Sequence, residues 1–170
     1  MVLNDESVYL NLEADIAIGA IAAGVSRIEG LYTKLAQKHG LPYGLIQVLY
    51  ILRLNSHVTQ KQISEVCEIP KQTVNSVIKQ LKADNHITLV ANDEDRREKK
   101  IRFTPLGEAY SQEILKPFLE LNKMVVNKIG MDLLLQLSKK LKTLGDAIEL
   151  EIELKETSSK WEERTKNAIP

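Results

Sequence analysis

Between Lys71 and Ala83 the chain sets out Lys71, Gln72, Thr73, Asn75, Ser76 and Lys79 with no Asp or Glu among them. These are the side chains that can address a nucleic-acid duplex. Gln and Asn bond bidentately to adenine, Thr touches a thymine methyl, and Lys reaches guanine or phosphate. A carboxylate in their midst would repel phosphate. A few residues later comes the charged run Asn92-Asp93-Glu94-Asp95-Arg96-Arg97-Glu98-Lys99-Lys100. Arg96 and Arg97 could enter a minor groove, where narrow A·T-rich stretches concentrate negative potential, and Lys99 could hold the backbone. The neighbouring acids oppose this, so one of them is expected to brace an arginine: Asp95, two residues before Arg97, could pair with it across the turn. Each feature alone has an ordinary explanation, a solvated helix face in one case and a soluble hairpin in the other. Their succession is what points to DNA.

The elements that would position these residues are mostly helical. A first helix is expected from Asp5 to Lys38, with Ile18, Ile21, Val25, Ile28, Tyr32 and Leu35 at alternating three- and four-residue steps, the spacing of an a/d seam. His39-Gly40 followed by Pro42 ends it, because Gly accepts the left-handed conformation past a helix end and Pro cannot continue the ladder. A second helix carries Leu45, Val48, Leu49 and Leu52 on one stripe and stops at Asn55-Ser56. Thr59 and Gln62 then form a capping-box pattern, opening a short helix with Ile63, Val66 and Cys67 as its apolar patch. Glu68-Ile69-Pro70 leaves only a tight turn before helical spacing resumes, with Val74, Val77, Ile78 and Leu81 in one apolar arc: a helix-turn-helix. In the second helix of such a motif the first-turn residues reach base edges. Alternation replaces helical spacing at Ile87–Val90 and Lys100–Phe103, which read as two strands around the charged loop, a wing. Thr104 and Pro105 suit the start of a long helix to about Ile129, kinked at Pro117. After Gly130 a last helix carries Leu134, Leu137, Leu141, Leu144 and Ile148 at seam spacing, with a fray point at Ser158-Ser159 and Trp161 in a polar tail. Spacing alone fits two uses of these end seams, packing on each other within one chain or pairing two chains.

The segments Thr59–Glu65, Ile69–Val74 and Asp95–Gly107 together resemble the MarR family of winged helix-turn-helix transcription regulators. The family's Asp-x-Arg wing motif falls on Asp95 and Arg97, and its Thr-Pro-x-Gly opening of the following helix on Thr104, Pro105 and Gly107. The resemblance implies a mainly α fold, a winged helix-turn-helix with long N- and C-terminal dimerisation helices. It divides the chain into a dimerisation helix over 1–40, a DNA-binding lobe over 41–104 and further dimerisation helices over 105–170. It also implies a homodimer on pseudo-palindromic double-stranded DNA, usually a repressor, often released by a small aromatic or anionic effector. Three positions depart from the family pattern. Glu68 stands where many members have glycine, Asn85 where a glycine commonly ends the recognition helix, and Ser76 where an arginine is frequent.

Composition limits the remaining choices. Lys plus Arg equals Asp plus Glu at 23 each, so any affinity for DNA must come from local clustering. The single cysteine, Cys67, excludes an intrachain disulfide and suits a reducing compartment; on the apolar arc it reads as a small core residue rather than a redox switch. The acidic start lacks a secretory pattern and Ile16–Val25 is too short to span a bilayer, which needs about 20 apolar residues, so a cytoplasmic protein with no membrane partner is expected. His39, His57 and His86 are scattered, and no phosphate loop or nucleophile-base pair stands out. No cofactor, metal or enzymatic activity is expected. The rival reading is a winged-helix module that binds a protein partner without direct DNA readout.

Overall fold

The structure, a computed structural model, describes residues 5–55, 57–91 and 98–166, with side chains over 12–157 of these ranges. Among the described residues six helices and three short strands follow one another as α1 (Asp5–Lys38), α2 (Tyr43–Leu54), β1 (Val58–Thr59), α3 (Gln60–Cys67), α4 (Lys71–Ala83), β2 (Ile87–Ala91), β3 (Lys99–Phe103), α5 (Pro105–Ile129) and α6 (Met131–Lys166). The helix stops are those the residue types dictate. Gly40 and Gly130 take positive φ of 69° and 85°, the conformation that ends a helix at least cost to glycine. Glu68 and Asn85 take it too, at φ 50° and 57°, so the two positions where the family often has glycine do require a left-handed backbone here.

The sheet differs from the expected hairpin. It has three antiparallel strands in the order β1-β3-β2, with Val58 opposite Ile101 and Leu89 opposite Ile101 on its other side. Two residues are too few for alternation to reveal β1. Thr59 serves twice, closing that strand and capping α3: its Oγ1 accepts from Gln62 N at 3.2 Å while its own N donates to Gln62 Oε1 at 2.9 Å. The patch on α3 is also corrected. Ile63 is buried, Cys67 half-buried, and Val66 68% exposed, while Ser64 is buried in its place. Ser64 Oγ donates to Ile69 O at 2.7 Å across the turn into α4, which makes burying the hydroxyl affordable.

Two compact units divide the chain at Leu119. The first, Met1–Leu119, has one core. Ala36 of α1, Val48, Leu49 and Leu52 of α2, Ile63 of α3, Val74, Ile78 and Leu81 of α4, Ile87 and Ile101 of the sheet, and Leu115 and Phe118 of α5 are all buried in it. The second, Glu120–Pro170, holds the end of α5 and all of α6. Helix α5 runs through Pro117 without a break in its assignment, and α6 continues past Ser158-Ser159 to Lys166, so the expected fray point is helical.

Several contacts tie the end of α4 to α5. The turn after α4 is stitched to the start of α5 by Thr104 N donating to His86 O at 3.0 Å and Thr104 Oγ1 donating to Asn85 O at 2.6 Å, while Gly107 N donates to Thr104 Oγ1 at 3.0 Å. The His86 ring lies flat on Tyr110 with centroids 4.0 Å apart. A Cβ at Gly107 would stand 1.7 Å from His86 O, so only glycine permits this approach. Gly107→Ala is therefore expected to destabilise the first unit by about 3 kcal/mol, at the upper end of overpacking costs. Urea unfolding followed by circular dichroism measures it; a loss under about 0.5 kcal/mol would show that the junction yields freely.

Candidate nucleic-acid interface

Helices α3 and α4 bring their first turns together. Gln60 and Lys61 of α3 and Lys71, Gln72 and Asn75 of α4 line an open groove of about 440 Å³ between them. Neither helix has an acidic residue in its first turn. A helix N-terminus carries partial positive charge and unpaired N–H groups, so two of them meeting beside two lysines make a surface for a polyanion. Lys61 is only loosely engaged elsewhere: its Nζ is 4.0 Å from Glu65, both side chains well exposed, a pair of little energetic weight.

The candidate residues fall into four places. Lys71, Gln72 and Asn75 are exposed and share the groove. Ser76 and Lys79 are exposed on α4 but do not line it. Thr73 is half-buried on the α2 side of the helix: a Cβ built on Gly44 would lie 2.9 Å from its methyl carbon, so the absence of a side chain at Gly44 lets α2 lie close against α4. Lys99 is exposed at the first position of β3, opposite Ala91. Asp95, Arg96 and Arg97, on which the wing reading rests, lie outside the described residues. Gln60 and Lys61 were not singled out from the sequence. They stand between the two partners of the capping box, which marks them as first-turn residues, but only the crossing of α3 over α4 turns them toward the same groove.

The fold is shared with known proteins. A family model described as MarR family matches residues 39–98. The chain is 28% identical to NMB1585, a MarR family regulator from Neisseria meningitidis, with a TM-score of 0.70 over 81% of this chain and 96% of that one. The chain is similar to these MarR family proteins, in sequence over that segment and in fold. Wild-type MarR from E. coli, at 16% identity, and the transcriptional regulator BldR from Sulfolobus solfataricus, at 18%, share the fold, each with a TM-score of 0.53. The alignments cover 74% of this chain and 95% of the first, and 82% of this chain and 99% of the second. Comparison with curated proteins finds no match.

Other chemistry finds no constellation among the described residues. No group of three or more His, Cys, Asp or Glu could hold a metal ion, and no helix is long and apolar enough to cross a membrane. Cys67 sits at the edge of the core, not inside it as expected, and burial pushes its thiol above the ordinary range. Since the thiolate is the reactive species, Cys67 should react with an aromatic disulfide reagent more slowly in the native protein than in urea at neutral pH, the native rate climbing as pH rises. Equal rates in the two states would show that the folded environment does not hold the thiol protonated.

Proposed function

We propose that the protein is a homodimeric transcriptional repressor that binds pseudo-palindromic double-stranded DNA through this groove and the wing. The observation that carries the reading is the meeting of two helix N-termini, free of first-turn acids, around Lys61, Lys71 and exposed amides. Helix α4, at about 1.5 Å per residue, is roughly 20 Å long and able to lie in a major groove about 12 Å wide. Charge clustered in this way binds DNA although the chain's net charge is zero. Repression follows from occupancy, since a dimer spanning a promoter excludes other proteins from it.

Exposed apolar stripes support the dimer. Leu12, Ile16, Ile18, Ile21, Val25 and Ile28 along α1 are 42–63% exposed, and Leu137, Ile148 and Ile152 of α6 are exposed as well. Stripes of this length on the surface of a single chain mark association sites. A two-fold axis through them would present two recognition helices to major grooves about 34 Å apart, so each protomer reads one half-site. Release by a small aromatic or anionic effector belongs to the same reading and is supported by the resemblance to the MarR family. An effector that binds best to a dimer with the wrong helix separation would shift the population away from DNA.

Fragments of DNA from upstream of the protein's own coding sequence provide the test. Binding is expected to fall steeply with salt, and Lys71→Ala should reduce the slope of log K against log salt by about one for each protomer. Salt-independent binding, or none, would favour a protein-binding module instead. The double variant Ile21→Glu, Val25→Glu is expected to sediment as a monomer and to lose at least tenfold in DNA affinity. A variant that remained dimeric would remove the α1 stripe from the interface.

A further inference from the structure

Amide side chains on the helix-turn-helix divide into two groups by what they bond. Gln62 is engaged in the capping box, and Gln80 Nε2 donates to Asp84 Oδ2 at 2.9 Å. Gln60, Gln72 and Asn75 have no hydrogen-bond partner among the described residues, and these three line the groove. An exposed amide without a protein partner keeps two donors and an acceptor available in one plane, the set that matches the N6 and N7 edge of adenine. Among the described residues no arginine lines the groove, so none of them offers the side chain that most often reads guanine in the bidentate manner.

Gln72 and Asn75 are three residues apart on α4, which turns them only about 60° from one another and separates them by about 4.5 Å along the axis. Base pairs stack about 3.4 Å apart along a strand. Two amides so spaced meet neighbouring base pairs rather than the same one. Gln60 stands on the opposite wall, in the first helix of the motif, the helix that crosses the phosphate backbone.

We propose that Gln72 and Asn75 read two adjacent A·T pairs in each half-site, which makes the protein's operator one with paired adenines at the centre of each recognition-helix contact. The proposal rests on the DNA-binding reading above and adds to it the identity of the bases read. Gln60, Lys61 and Lys71 hold phosphates and carry no preference.

Selection of bound duplexes from a random pool by the full-length protein tests it directly. Two neighbouring A·T pairs are expected at a fixed place in each enriched half-site. Asn75→Ala and Gln72→Ala should each relax discrimination at one of those two pairs by roughly tenfold, leaving the other pair and the rest of the site unchanged. Gln60→Ala should weaken binding to all sequences alike. Enrichment of G·C at the two positions would overturn the proposal while leaving DNA binding intact, as would a uniform loss of affinity across sequences in Asn75→Ala and Gln72→Ala. Failure of the unaltered protein to enrich any sequence would overturn both. A thermal melt of each variant checks its folding, and the wild-type selection does not depend on it.

Discussion

The turn between α3 and α4 is the constraint on which the candidate interface depends. Three residues reverse the chain, and they can do so only because Glu68 accepts a left-handed backbone, Ile69 N donates to Ser64 O at 3.3 Å, and Ser64 Oγ returns a bond to Ile69 O. With that turn held, the first turns of the two helices line one groove. Loosen it, and Gln60 and Lys61 part from Lys71, Gln72 and Asn75. A left-handed residue other than glycine costs about 1 kcal/mol or more, so the turn is maintained against a local preference by bonds and by burial of Ile63 and Val74 on either side.

The rest of the first unit gives that turn its support. Thr59 links strand to helix at one end of the motif, and the Thr104–Gly107 junction links α4 to α5 at the other. Thr59 is buried with both its hydroxyl and its backbone N bonded to Gln62, and the Thr104 hydroxyl serves Asn85 O and Gly107 N at once, so these polar atoms cost little. His86 Nδ1 is a buried side-chain atom without a hydrogen-bond partner among the described residues; the stacking on Tyr110 and the backbone bonds of His86 to Leu81 and Thr104 hold the residue nonetheless. The helices outside this lobe present apolar surface instead.

Much of this was readable from residue types. The helix bounds Asp5, Lys38 and Ile129, the capping box at Thr59 and Gln62, and the left-handed positions at Gly40 and Asn85 follow from local rules of capping and glycine or asparagine preference. Local rules failed where the decisive interaction was distant. Strand β1 exists because Val58 and Thr59 find β3 some forty residues later, and its two residues carry no periodic signal. Val66 shares the spacing of an apolar patch, but on a helix of eight residues one edge faces the turn and the other faces water, and Ser64 wins the buried position through its bond to Ile69. The extension of α6 past Ser158-Ser159 shows the same limit, since two serines lower helix propensity by only tenths of a kcal/mol each and do not stop a long helix.

For the recognition surface, the amino-acid order by itself determined that α4 would carry amides and lysines with no acid among them, because composition and the hundred-degree step are properties of the chain. It could not say which of those residues share a surface. Thr73 looked as available as Gln72, yet it lies beside Gly44 of α2, and Gln60 and Lys61 gained importance only from another helix. The angle at which α3 crosses α4 is set by packing among Ile63, Val74, Ile78 and Leu49, residues drawn from three helices. That packing is a property of volumes meeting in space, so the tertiary structure alone decided which amides stand together without a protein partner.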